Sequence, residues 1–481
     1  MTPGPLASRS FGMDDQIAFA GLSSDWNPLH LDPAFARRTQ FGAPVVHGIH
    51  HLAWATDAVL RSAPFRIARL RARFLQPLYL DETASVRIRK QTERYIECEV
   101  VAADIAIALI RLSSEPGQFK PALVPLAPST PAGMSQPAEL RFEQLAGQAG
   151  AVATGDAAVE VLFPALSQSI GVAAVRGLLA TSQIVGMVCP GLHSLFAGLE
   201  LNIDPQTDRE SALAYAVTKV DARFRSLQID VSGSGIAGRL DAFARPVPPA
   251  QAGMAEISQR VAGHPFAGQK SLIIGGSRGL GEVSAKIVAA GGGHAVITYR
   301  ESRADAERVA AEILAAGGQC EILPYDALAP AAAQLRKLGR VDSAYYFATP
   351  RIFQRKSALY EPQALRTFLS FYADGFHDLC TTLAGQGGKK LAVFYPSTTA
   401  IDAPVSGTAE YAMAKSAGEM LARHLNAFTA NMEVLCRRLP RILTDQTATV
   451  GVASADNALD AMLPIVYEVQ QMARRDPAPR G

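Results

Sequence analysis

The chain is poor in the residues that carry several common functions. Its five cysteines, Cys98, Cys189, Cys320, Cys380 and Cys436, are scattered with no Cys-x-x-Cys spacing. That argues against a disulfide framework or a cysteine zinc site and fits a reducing compartment. The 46 Lys and Arg residues are balanced by 44 Asp and Glu, leaving a formal net charge of only +2. No basic excess is available to hold nucleic acid. No apolar run approaches the length that spans a bilayer. The first residues, "MTPGPLASRSFGMDDQ", lack the basic start and apolar core of a signal peptide. The expectation is a cytoplasmic protein with neither a membrane nor a nucleic-acid partner.

Apolar residues, by contrast, make up 48% of the 481 positions. A chain of this length exceeds a single core and divides into domains. Six of its 30 prolines fall between Pro116 and Pro137. That density suits neither a sheet ladder nor a helix interior, so residues 116–140 read as a linker. A second break, "ARPVPPAQAG", places another at 248–264. Three blocks remain, at 8–115, 141–247 and 265–481.

The first two blocks read as imperfect copies. Each has an apolar helix candidate, "GIHHLAWATDAVLRS" and "AAVRGLLATSQIVGMV". Alternating strand patterns follow: "RLRARFLQPLY", "ASVRIRKQTERYIECEVVA" and "IAIALIRLS" in the first, then "SALAYAVTKVDARF", "SLQIDVSGS" and "GIAGRLDAFARP" in the second. A helix wrapped by an antiparallel sheet fits this pattern, and two such sheets side by side would bury each other's edges. The third block alternates short apolar strands with helices, from "KSLIIGG" to "MEVLCRRLP". That implies a parallel sheet covered on both faces, a doubly wound α/β (Rossmann) domain.

The third block opens on "SLIIGGSRGLGE", which sets Gly275, Ser277, Arg278, Gly279 and Gly281 between a strand and a helix. Glycines there allow a tight turn and close approach of a phosphate to helix N-terminal amides. Further on, Tyr411 and Lys415 lie four residues apart in "YAMAKSAGE", and Ser397 ends the strand "LAVFYPS". With these motifs the block, from about Pro265 onward, resembles the short-chain dehydrogenase/reductase family. The resemblance implies Tyr411 as acid/base, Lys415 as its support and Ser397 as the group orienting a carbonyl. The serine-to-tyrosine spacing is one residue long, so Thr398 is an alternative. Arg300 stands in "VITYRESR" where NAD enzymes carry an acid, and with Arg278 it suits a 2′-phosphate; NADPH is expected over NAD. The resemblance places Asp326 at the adenine. Tyr372 stands in place of the family's relay asparagine, which leaves open a domain that binds nucleotide without catalysis.

The richest stretch is "DWNPLHLDPAFARRTQFGAPVVHG", Asp25 to Gly48. Asn27-Pro28 interrupts the local helix so that Asp25 and His30 can face one space. A carboxylate and an imidazole gripping one water can serve as base and acid. This stretch resembles the MaoC-like, R-specific enoyl-CoA hydratases of the hot-dog fold, across about Phe11 to Ser114. The resemblance implies Asp25 and His30 as catalytic, with the Gly48 N–H stabilising the thioester oxygen. His47 and His51 have metal-ligand spacing, but no acid accompanies them on that helix, so no metal is expected and the extra histidines are read as pocket lining. The second block has no such motif and reads as a non-catalytic repeat completing an α+β double hot-dog. Together the resemblances imply a bifunctional enzyme acting on an acyl-CoA or acyl-carrier-protein thioester, a lyase fused to an oxidoreductase, assembled as a homodimer or homotetramer.

Overall fold

A computed structural model of the chain describes residues 4–117, 136–156, 158–204, 211–247, 250–352, 359–386, 390–444 and 456–475. Most of the proline-rich segment 116–140 lies outside the described residues. The chain divides into two compact units, the first ending at Val247.

The first unit is built on one antiparallel sheet of ten strands: β1 (Ala7–Ser10), β2 (Arg69–Phe74), β3 (Thr83–Gln91), β4 (Tyr95–Ala102), β5 (Ile105–Ser113), β6 (Ala149–Ala153), β7 (Ser194–Ile203), β8 (Ala212–Asp221), β9 (Ser226–Gly233) and β10 (Ile236–Ala244). Their order is β1-β3-β4-β5-β2-β7-β10-β9-β8-β6. Outward from the centre, β2, β5, β4, β3 and β1 on one side mirror β7, β10, β9, β8 and β6 on the other. The two blocks are therefore topological copies, joined where β2 pairs with β7 and Ala72 faces Leu199. Pairing these two strands hides an edge that each copy would otherwise expose.

Three strand patterns per repeat were an undercount. β7 escapes a period-two reading because Ala197 is the extra residue of a bulge against β10, which breaks its alternation. "ASVRIRKQTERYIECEVVA" folds as the hairpin of β3 and β4. The first repeat's central helix, Gly48–Ser62, is buried at every position from Ile49 to Leu60. Its counterpart, Val172–Gln183, continues into a π-helical turn at Ile184–Val188. Residues from both helices enter one hydrophobic core, among them Leu52, Val59, Leu178 and Val185.

The second unit carries six parallel strands, β11 (Lys270–Ile274), β12 (His294–Tyr299), β13 (Gln319–Pro324), β14 (Ser343–Tyr346), β15 (Leu391–Thr398) and β16 (Met432–Leu439). Their order, β13-β12-β11-β14-β15-β16, is the doubly wound Rossmann arrangement. β11 and β14 flank the switch point where strand order reverses, and the glycine turn leaves β11 there. Residues 248–264 are more than a linker. They include a helix, Met254–Arg260, whose Met254 and Ile257 are buried in this unit's core.

The β2–β7 junction leaves no room at Gly198, where a Cβ would stand 2.6 Å from the Ala72 carbonyl oxygen. Gly198→Val should lower stability by about 1–3 kcal/mol in urea unfolding of the whole chain. An unchanged midpoint would show that the junction yields freely.

Candidate functional site

The loop after Ser23 is shaped by its own side chains. Asn27 caps the short helical turn Pro28–Leu31, accepting from the Leu29 N–H at 3.0 Å, and Pro28 at the first helical position needs no N–H partner. The Asn27 amide then donates to the Gly186 carbonyl at 2.8 Å, tying this loop to the π-helical turn of the second repeat. Asp25 and His30 are thereby turned inward. With His47 they form a cluster whose candidate ligand atoms all lie within 4.8 Å of one another.

Asp25 is 2% exposed. Its Oδ2 accepts from Ser182 Oγ at 2.6 Å and its Oδ1 from the Asn27 N–H at 3.2 Å. Burial raises its pKa to about 6, against those two hydrogen bonds. His30 Nδ1 lies 2.7 Å from the Val45 carbonyl oxygen, which can only accept. The neutral ring therefore carries its proton on Nδ1 and presents Nε2 as an acceptor. Burial lowers the His30 pKa to about 4.

His47 is more than lining. Its ring stacks on His30 with centroids 3.8 Å apart, while Nε2 lies 3.1 Å from the Asp25 carbonyl oxygen and Nδ1 lies 2.9 Å from Gln16 Oε1. Both neighbours are acceptors. Only an imidazolium would fill both contacts, and burial holds the His47 pKa well below its usual value. The other two histidines are core groups. His50 stacks on Phe19 and His51 meets the edge of Phe74. The metal-capable set is thus Asp25, His30 and His47 rather than His47 with His51. Three of its four ring nitrogens already face oxygen acceptors.

Gly48 begins the central helix, so its N–H is one of the amides that an α-helix leaves without an internal partner. The Phe74 ring covers it, 3.2 Å from where a Cβ would stand. Sequence reasoning missed the second repeat's contribution. Ser182 holds the Asp25 carboxylate, and a Cβ on Gly186 would stand 2.3 Å from Asp25 Oδ1. Neither residue belongs to a recognisable motif. The one available signal was the pair of small residues, Ser182 and Gly186, at helical spacing.

In the second unit the glycine turn is closed by Gly275 at φ +76° and Gly279 at φ +59°, which favour glycine. A Cβ on Gly281 would stand 2.2 Å from the Gly275 carbonyl oxygen, so helix and turn meet at bare backbone. Ser277 lies in this turn, and Arg278 stands at the residue before the helix Gly279–Ala290. Arg300 is half-exposed just past β12, bound to Glu301. Asp326 accepts from the Leu328 N–H at 3.0 Å. Glu282, in the helix's first turn, would repel a phosphate there, but Lys286 and Arg308 neutralise it. The turn, its helix and the two arginines fit a dinucleotide.

Ser397 and Thr398 point to opposite sides of β15. Ser397 Oγ donates to Glu419 Oε1 at 2.5 Å, while the Thr398 hydroxyl lies near enough to Tyr411 to oppose the upward shift of its pKa. The structure thus brings Thr398, not Ser397, to the tyrosine. Lys415 donates to the Pro396 carbonyl at 2.6 Å and sits 3.9 Å from the centre of the Tyr372 ring. Burial pushes Lys415 down to about 7 and Tyr411 upward.

Residues 3–108 match the MaoC like domain family. They form a MaoC-like domain. The (R)-specific enoyl-CoA hydratase of Aeromonas caviae is 60% identical over 42 residues, 9% of this chain and 31% of that protein. The peroxisomal multifunctional enzyme type 2 of Mus musculus is 33% identical over 128 residues, 23% of this chain and 17% of that protein. The chain therefore spans less than a third of either relative. Among solved structures, a short-chain dehydrogenase/reductase from Serratia marcescens superposes with a TM-score of 0.39 at 20% identity, covering 44% of this chain and 95% of that one.

The histidines buried in the MaoC-like domain set its acid stability. His30 is held at about 4, and His50 and His51 at about 3, all below the ordinary 6.5. As pH falls the unfolded chain protonates first, so their stabilisation is complete above 6.5 and is lost toward 4. Asp25 acts oppositely between 3.8 and about 6, one group against four, since His47 is lowered as well. The thermal midpoint of this unit should fall steadily from pH 6.5 to 4. A flat profile would contradict the burial of these rings.

Proposed function

We propose that the first unit hydrates a 2-enoyl thioester, or dehydrates the 3-hydroxyacyl form, at Asp25 and His30. In the same reading the second unit interconverts the 3-oxoacyl and 3-hydroxyacyl thioesters with NADPH. The observation that carries the first half is the buried carboxyl and the half-buried imidazole, held to one space by Asn27, Ser182 and Val45. The Asp25 carboxylate takes one proton from a water held between the two groups as the water's oxygen bonds to C3, and passes that same proton to C2, while His30 Nε2 accepts from the water's other O–H. The thioester oxygen gains negative charge in that step. The Gly48 N–H at the helix N-terminus is placed to stabilise it. Coenzyme A or a carrier protein would hold the acyl group, and the active form would be a homodimer or homotetramer.

In the second unit, the glycine turn would take the pyrophosphate, Arg278 and Arg300 the 2′-phosphate, and Asp326 the adenine. NADPH, when bound, supplies a hydride for the carbonyl carbon. Tyr411 gives the oxygen its proton, and Thr398 orients the carbonyl in the place first assigned to Ser397. A second reading is favoured by one observation: Lys415 is bonded to Pro396 and covered by Tyr372, while Tyr411 is pushed away from phenolate. In that reading the domain binds nucleotide without turning it over.

But-2-enoyl-CoA hydration, followed by loss of enoyl absorbance, tests the first half. Asp25→Asn and His30→Ala should each lower kcat/KM about 10²–10⁴-fold, and a chelator should change nothing. Undiminished variants would remove both residues from the mechanism. Loss of NADPH absorbance with acetoacetyl-CoA tests the second half, with Tyr411→Phe abolishing it and Thr398→Val lowering it more than Ser397→Ala. A wild-type protein that hydrates the enoyl thioester yet leaves NADPH untouched would establish the second reading.

A further inference from the structure

Beside the Asp25–His30 pair lies a buried cation without a countercharge. Arg245 follows the last residue of β10 and is 3% exposed. Among the described residues no carboxylate forms an ion pair with it, and its Nε has no hydrogen-bond partner. Its Nη2 donates to the Leu192 carbonyl at 3.2 Å, an oxygen that Asn27 Nδ2 also approaches at 3.5 Å. The guanidinium therefore shares an acceptor with the loop that places Asp25 and His30. It is close enough to His30 for its charge to oppose protonation of that ring. Next to it His193 is 8% exposed; its Nε2 lies 3.6 Å from a Glu139 carboxylate oxygen, and its Nδ1 has no hydrogen-bond partner among the described residues. The Arg245 N–H holds the His193 carbonyl at 2.7 Å, so the two residues move together.

Burying a guanidinium without an anion is costly, and a brace for a loop needs no charge. The Arg245 guanidinium is buried and shares the Leu192 carbonyl with Asn27, which sets it against the loop that carries Asp25 and His30. We infer that Arg245 receives a carboxylate carried on the acyl chain, so that the preferred substrate is a 2-enoyl thioester of a dicarboxylic acid. This rests on the hydratase reading above and narrows its substrate class. A planar guanidinium can grip a carboxylate through two parallel hydrogen bonds, which a lysine cannot reproduce.

The test compares hydration of 4-carboxybut-2-enoyl-CoA with that of uncharged pent-2-enoyl-CoA by the full-length protein, Arg245→Gln and Arg245→Lys. The readout is the ratio of the two kcat/KM values in each protein. A charge-assisted contact predicts a wild-type ratio of about tenfold or more in favour of the carboxylated substrate. Arg245→Gln should bring the ratio near one, and Arg245→Lys should leave it between. A wild-type ratio near or below one overturns the inference, even if Arg245→Gln fails to fold. So does an equal loss on both substrates in Arg245→Gln, which would make Arg245 a brace for the loop. Hydration of neither substrate by the wild type would instead overturn the hydratase reading, and this inference with it.

Discussion

The site of the first unit depends on one contact between repeats, the hydrogen bond from Ser182 to the Asp25 carboxylate. Burial disfavours the ionised form of this acid, and the serine hydroxyl opposes that shift. The π-helical turn that follows Ser182 brings the bare backbone of Gly186 against the same carboxylate and offers its carbonyl to Asn27. One short segment of the second repeat thus holds both the carboxylate and the backbone of the Asp25 loop in the first. A repeat without an Asp-Asn-Pro-His motif thereby still shapes the site. The sheet is continuous as well, since pairing of β2 with β7 fixes the register between the halves.

The second unit shows the reverse balance. Its scaffold is regular, with six parallel strands and a glycine turn at the switch point, yet the groups around Tyr411 are rearranged. β15 presents Thr398 where the serine was expected. Tyr372 covers Lys415 with a ring where an amide was expected, and Thr349 bonds its hydroxyl at 2.5 Å. An aromatic face steadies an ammonium but supplies no proton path. Lys415 is thus engaged by the Pro396 carbonyl and the Tyr372 ring rather than by Tyr411.

The sequence revealed whatever local periodicity or a contiguous motif encodes. Both central helices, all six parallel strands, the turn at Asn27-Pro28 and the glycine turn were legible in it. Strand β7 was not, because a bulge breaks its alternation, and β1 and β6 are only four and five residues long. Ser182, Gly186 and Arg245 were invisible as site residues, because their roles come from the β2–β7 pairing rather than from neighbours in sequence. His47 was read as lining for a similar reason: its stacking on His30 exists only once the loop folds back. The choice between Ser397 and Thr398 hung on a one-residue shift, which reverses the face of a strand and which spacing alone left open.

The central claim is that the second repeat tunes the acid of the first. The direct measurement is kcat/KM for enoyl-CoA hydration against pH, in the wild type and in Ser182→Ala. With Asp25 raised to about 6 and held there by Ser182, wild-type activity should fall as pH drops through about 6. Without the serine hydroxyl that acid limb should move to higher pH, because ionised Asp25 loses a hydrogen bond. An acid limb that stays in place in Ser182→Ala would contradict the account.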